Sequence, residues 1–428
     1  MMRISKRILF LAIIIFCISL LGLGGCGSAA GTGSGMKAGN VRMADIMAEG
    51  IAAGERAVET VKMEQIAAVY CAVYEEALRT NTAGSLEMMR KMLAELGKKG
   101  YVAVDRDNQV NMVNPELLLR FCGVVETAEK AKLTVIVPAC SGSFTKYDFR
   151  AEKGKVDVVR GYYQYKDGDM QNRSVAAYFA DVWKYTEEGY LFFEGSYYSE
   201  ESYVLVYSDE PEYAAFRAAP LEERCRELNR EYILPVGYQM NELFLMDWSE
   251  EDYAGIDFYD LFDLLYEEVN GGSNPYVMDA NPNIGTIYHI PEAEFEGVIM
   301  RYFKIDKETL RARTTYLPQE KAYEYRPRGF YELGYTNIPY PEVVDYEEKP
   351  DGTIELIVNA VFPYEKTAKA YVHKVVVRPL QEGGFQYVSN EILTPEEDYH
   401  IWWYSERLTK EAWREIYGEN EEQAFVFR

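Results

Sequence analysis

Asp247-Trp248-Ser249-Glu250-Glu251-Asp252 is the densest chemistry-bearing run in the chain, four carboxylates around one indole and one hydroxyl. Acids beside an aromatic ring suit two jobs. They grip the hydroxyls of a sugar stacked on the ring, or they divide acid and base work across a glycosidic bond. Asp247, Trp248, Glu250 and Asp252 are therefore ligand-binding candidates, and a pair drawn from Asp247, Glu250 and Asp252 is what a glycan hydrolase would use. The competing account is a solvated loop whose acids complement the dipole of the next helix. Trp402-Trp403-Tyr404 is a second candidate, able to stack on a glycan or partner protein or to clamp the tail onto a core.

Other chemistries are poorly served. A serine or cysteine nucleophile needs a base, and the chain has three histidines, His289, His373 and His400. Ser143-Phe144-Thr145-Lys146 has SxxK spacing, but it begins a strand rather than a helix, and no SDN or KTG follows. No GxSxG, HExxH or phosphate-binding loop is present. Asp105 to Asn111 with Glu116 echoes a calcium loop, lacks its glycine, and reads as a hairpin turn. No catalytic residue, metal or cofactor is expected. Cys71, Cys122, Cys140 and Cys225 form no CxxC, and spacing leaves three full pairings open. Cys71 and Cys122 fall on apolar helix faces, where a thiol acts as a small hydrophobe.

The first 26 residues predict location. Arg3, Lys6 and Arg7 precede an apolar run from Ile8 to Leu21, and Leu23-Gly24-Gly25-Cys26 ends it. That run is short for a membrane span, which takes ~20 residues, and suits a signal-peptide core of ~7–15. A lipoprotein reading follows. Cleavage before Cys26 and a diacylglyceryl group (palmitate-type chains) on its thiol would anchor the chain, two acyl chains holding where one lets go. Gly27 to Asn40 is a Gly/Ser/Ala tether.

Composition narrows the partners. The chain holds 45 basic and 69 acidic residues. Removing residues 1–25 deletes three basic and no acidic ones, leaving 42 against 69 and a net charge of −27. Phosphate backbones repel such a body, so nucleic acid is not an expected partner. The membrane through Cys26, and a small molecule, glycan or envelope protein, are. Tyrosine, at 36 residues, suits half-buried sheet faces.

The elements that must position these groups read as α+β. Residues 41–79 predict a helix, with Met63, Ile66, Tyr70, Val73, Tyr74 and Ala77 on one face. Ser85 caps a second helix stopped by Gly97, and Asn114-Pro115 opens a third with Leu118, Phe121, Cys122 and Val125 inward. Between them a hairpin is expected over 101–113. Strand text then runs from Leu133 to Tyr207, and further helices follow at Leu221–Tyr232, around Phe258–Val269 and from Pro291. The segments TIELIVNAVFPY, AKAYVHKVVVRP and GFQYVSNEIL predict a second antiparallel set. A short helix follows near Thr409 to Tyr417.

The expected organisation is a signal peptide (1–25), a tether (26–40), an N-terminal α+β domain (41–270), a linker (271–286), a smaller C-terminal α+β domain (287–395) and an aromatic, acidic tail (396–428). Turn glycines recur 35 residues apart in one set (Gly154, Gly189) and 32 in the other (Gly352, Gly384), so two lobes of related, NTF2-like build are one expectation.

Six stretches carry a family likeness: NTAGSLEMM, GYVAVDRDNQVNM, CRELNREYILPVGY, FLMDWSEEDYAGIDFYDL, YRPRGFYE and VVVRPLQEGGFQYVSN. Over roughly residues 60–395 the chain resembles a group of Gram-positive bacterial lipoproteins catalogued only as a domain of unknown function. The resemblance implies an anchored, co-folded body and assigns no functional residue. The expected function is a non-enzymatic, membrane-anchored extracytoplasmic protein that binds or scaffolds, with an envelope glycan hydrolase as the alternative.

Overall fold

The structure, a computed structural model, describes residues 53–166, 168–195, 212–276, 286–332, 334–418 and 424–425. The leader, Cys26, the tether and the strand expected at 202–207 lie outside them.

The architecture is α+β. Helices α1 (Ala53–Arg79) and α2 (Leu86–Lys98) pair through the predicted stripes, burying Tyr70, Met92, Leu93 and Leu96. Ser85 caps α2 by accepting the Met88 N–H at 3.2 Å. Gly97 does not end this helix. It sits in the last turn because a Cβ there would meet Val113 at 3.2 Å, and the chain reverses at Gly100 instead. Helix α3 (Pro115–Glu126) buries all four expected residues. Asn114 precedes it in a left-handed conformation, and its amide donates to the Gly97 and Tyr101 carbonyls instead of capping α3.

The first sheet runs β1-β2-β3-β4-β5, an antiparallel meander of β2 (Ala131–Pro138), β3 (Phe144–Glu152), β4 (Lys155–Lys166) and β5 (Asp169–Phe179), with β1 (Val102–Ala103) added parallel to β2. Strand alternation sends Phe144 and Tyr163 toward α1 and α2, and Phe149 and Val158 toward α3 and a second sheet. That second sheet is β6 (Val182–Tyr185), β7 (Tyr190–Gly195) and β8 (Glu212–Arg217). The expected hairpin at 101–113 is reduced to one bridge between Ala103 and Val113, because β1 pairs with β2 instead.

The second core takes in residues 221–403. It holds α4 (Glu223–Leu228) continuing into a π-helical turn at 229–233, then α5 (Phe258–Asn270), α6 (Glu292–Tyr302) and α7 (Lys307–Ala312). These pack on a five-stranded sheet and a four-stranded one. The larger is an antiparallel meander of β13 (Tyr340–Glu348), β14 (Ile354–Val361), β15 (Val372–Pro379) and β16 (Phe385–Ile392), extended by β9 (Trp248–Ser249) beside β16. The smaller runs β11 (Tyr316–Leu317), β12 (Ala322–Tyr325), β10 (Ile287–Pro291) and β17 (Ala424–Phe425). Helix α8 (Lys410–Tyr417), capped by Thr409, lies near the C-terminus.

One apolar core takes in residues on both sides of the expected linker. Tyr266 and Tyr276 share one core with Ile290 and Phe295, on the far side of 277–285. Gly271 acts there as the left-handed cap of α5. The proposed repeat also changes form. Gly352 and Gly384 turn hairpins of one sheet, whereas Gly154 turns the β3–β4 hairpin and Gly189 joins β6 to β7 of another. Ala180-Asp181 ends the first meander before that second hairpin begins.

Candidate functional site

β9 brings most of the acidic run to one place. Trp248 and Ser249 pair with Asn390 and Ser389, so the loops leaving both strands converge. A groove of about 360 Å³ opens there, lined by Asp247, Trp248, Ser249, Asp252, Ala254, Ser389, Asn390 and Glu391. Its rim is acidic. Asp247 accepts the Ile392 N–H at 2.6 Å, Asp252 accepts the Ala254 N–H at 3.0 Å with its side chain 78% exposed, and Glu391 pairs with Lys374 at 2.5 Å. Arg313 lies 3.3 Å from Asp252. Three carboxylates and two hydroxyls offer hydrogen bonds and a negative field to a polyhydroxy or cationic group.

Trp248 and Glu250, the other two ligand-binding candidates of the run, have different work. Trp248 is 5% exposed, donates its indole N–H to the Leu243 carbonyl at 2.7 Å and packs on Tyr253 and Phe303, so its ring is core and not a sugar platform. Glu250 forms a two-pronged pair with Arg378, both contacts at 2.8 Å. That guanidinium holds the Glu250 carboxyl below the usual range, the wrong direction for a general acid.

Behind the groove runs a buried polar chain. His373 donates from Nδ1 to the Asn390 Oδ1 at 2.6 Å, the tautomer that leaves Nε2 to accept the Tyr238 hydroxyl at 2.8 Å, while Asn390 donates to the Met246 carbonyl. Burial pushes His373 down to about 4. It is a neutral core histidine.

Trp402 and Trp403 lie in the tail crossing the second core. Trp402 donates to Glu365 at 2.9 Å and meets Tyr335 edge-on, with centroids 5.5 Å apart. Trp403 is buried against Phe362 and Tyr371, and its indole N–H has no hydrogen-bond partner among the described residues.

A cluster that sequence reading missed fastens this tail. Asp257, the cap of α5, is followed by Asp260 and Asp263 at three-residue spacing. Asp260 is 2% exposed and takes Arg328 Nε at 2.8 Å and Nη2 at 2.5 Å, and Arg407 Nη2 at 2.5 Å. Arg407 also reaches Asp263 at 3.1 Å and Asp257 at 3.4 Å, and Asp263 accepts the Tyr325 hydroxyl. Glu242 accepts the Asp257 N–H and, in a very short bond, the Tyr404 hydroxyl. Burial, reinforced by the charges of Asp260 and Asp257, pushes Glu242 up to about 7, and burial pushes Asp263 up to about 6. The i, i+3, i+6 acids at a helix start were a visible signal. Their partners, 68 and 147 residues from Asp260, were not.

The remaining sequence candidates resolve simply. Asp105 is buried and spends its oxygens on the N–H groups of Asp107, Gln109 and Val110, a loop anchor in place of a calcium ligand. Ser143 accepts the Tyr165 N–H just before β3, so the SxxK spacing lies on a strand. All four described cysteines are free thiols, and burial pushes Cys122 and Cys225 up to about 11, where little reactive thiolate exists. Among the described residues no helix is long and apolar enough to cross a membrane, and no group of three His, Cys, Asp or Glu residues is placed to hold a metal. No curated protein and no solved structure matches the chain. A family model does match, from residue 56 in α1 to Arg407 in the tail cluster, and the chain therefore belongs to a family of unknown function, DUF6070.

Proposed function

We propose that the protein is an extracytoplasmic lipoprotein, anchored through Cys26, whose α+β body binds a ligand or envelope partner without catalysis. The observation that carries the binding reading is the acidic groove beside β9, open to solvent and rimmed by Asp247, Asp252 and Glu391. A polyhydroxy glycan or a basic protein segment has the matching chemistry. The anchor rests on the basic leader, the apolar run and the small residues before Cys26. The hydrolase alternative loses Glu250 to Arg378, and the carboxyls raised closest to neutrality, Glu242 and Asp263, belong to the tail cluster and not to the groove.

Two measurements test it. Cells expressing Cys26→Ser and labelled with a radioactive lipid precursor are expected to yield an unlabelled, membrane-free protein. Unchanged labelling and fractionation overturn the anchor. On arrays of envelope glycans and basic envelope proteins, a triple variant, Asp247→Asn with Asp252→Asn and Glu391→Gln, is expected to lose the binding of the parent. Equal retention by both removes the groove as the site.

A further inference from the structure

The tail from Tyr399 to Leu408 is held differently from the rest of the second core. Its large anchor, Trp403, is buried with an indole N–H that has no partner among the described residues. Apart from the Trp402 bond to Glu365, its polar ties run to the α5 cluster and its neighbours. Tyr404 donates to Glu242, Arg407 binds Asp260 and Asp263, the Ser405 carbonyl accepts from Arg328 at 2.7 Å, and the Leu408 N–H donates to Glu332 at 2.7 Å.

Charge around Glu242 is out of balance. Asp257 and Asp260 face it from the start of α5, and Tyr404 faces it from the tail. The cations near this set, Arg328 from the loop after β12 and Arg407 from the tail, are both bound to Asp260, with Asp263 and Tyr325 one turn further along. Four carboxylates thus share two guanidinium groups. Full ionisation leaves the cage two charges negative, with Glu242 the member not paired to an arginine.

We propose that residues 399–408 are a proton-controlled strap. With Glu242 protonated, the carboxyl and the Tyr404 phenol share a neutral hydrogen bond and the tail lies flat over Phe362 and Tyr371. With Glu242 ionised, a charge is left buried beside Asp257 and Asp260, and lifting the strap hydrates it; the Tyr404 bond, which favours the ionised carboxyl, opposes the lift. Glu242, pushed up to about 7, places the change near neutral pH. The sign is fixed by that direction: docking strengthens as pH falls below 7 and weakens above it.

Hydrogen exchange on the full-length chain, corrected for the pH dependence of intrinsic amide exchange, reads the strap directly. Between about pH 6 and pH 8.5, protection of amides 399–408 relative to β14 and β15 is expected to fall roughly tenfold, the factor one pKa unit carries. Glu242→Gln is expected to keep the protected state across the range. Tyr404→Phe is expected to lower strap protection at pH 6 and to keep the fall with pH, because burial of Glu242 drives it, while β14 and β15 show the variant folded. A flat profile in the parent, the parent's fall persisting in Glu242→Gln, or a flat profile in Tyr404→Phe each overturns the proposal.

Discussion

Two buried ionic networks hold this molecule together, and they are charged in opposite senses. At the seam between the cores, Glu342 is 2% exposed and accepts from Asn108 at 2.6 Å, Tyr190 at 2.8 Å and Arg217 at 2.7 Å. Arg226 sits beside them on Asn108 and Asn111, so one carboxylate faces two guanidinium groups. Under the tail, four carboxylates face two. Arginine does not give up its proton in the accessible pH range, so both guanidinium charges of the seam stay fixed. The tail cluster must resolve its excess through Glu242 and Asp263. One network is a rivet and the other titrates.

Deleting the central acid of each should cost most. Glu342→Ala strands Arg217, and Asp260→Ala strands Arg328 and leaves Arg407 on Asp263 and Asp257. Each is expected to lower unfolding free energy by about 3–5 kcal/mol, the range for breaking a buried pair, as read by urea denaturation. A loss under 1 kcal/mol at either site would mean that water or rearrangement replaces the missing partner. The next effect separates the networks by pH. Glu242 is raised when folded, so its stabilising protonation is complete below its unfolded value of 4.5 and is lost as pH climbs to about 7. Glu242→Gln should therefore gain about 1–3 kcal/mol over the parent at pH 8 and little at pH 4.5.

His373 supplies an opposing slope. Its folded value near 4 lies below the unfolded 6.5, so stability is present above 6.5 and drains as pH falls toward 4. Thermal melts of the parent should peak in mildly acidic buffer, between these limits; a midpoint rising steadily to pH 8 would contradict the Glu242 assignment, and one falling steadily from pH 4 the His373 assignment. The smallest effect belongs to the groove. Asp252→Asn removes an exposed contact to Arg313 and should shift stability by under about 1 kcal/mol, leaving binding as its only readout.

How much of this was legible depended on the distance over which the cause acts. Helices α2 and α3 could be read because Ser85, Pro115 and their apolar stripes act within one turn of chain. β14, β15 and β16 could be read because alternation is local. The meander equivalence failed at Ala180-Asp181, where continuous strand text changes sheet, a choice made by packing against α3. The acidic run was half informative. Asp247 and Asp252 do reach a groove, but whether Trp248 faces solvent and whether Glu250 meets Arg378 was decided by β16 and β15, over 120 residues downstream. The Asp260 cluster and the Glu342 seam were invisible for the same reason.

The left-handed Asn108, whose amide reaches Glu342 across 234 residues, carries a consequence for how the chain is made. A ribosome delivers the loop long before its acceptor exists, so Arg226 and the loop must wait without it during synthesis. Acquisition of β13 becomes a late checkpoint with high contact order and slow closure. Severing the gene near codon 220 would give two halves with mismatched, half-empty sockets, each prone to stick to the wrong neighbour.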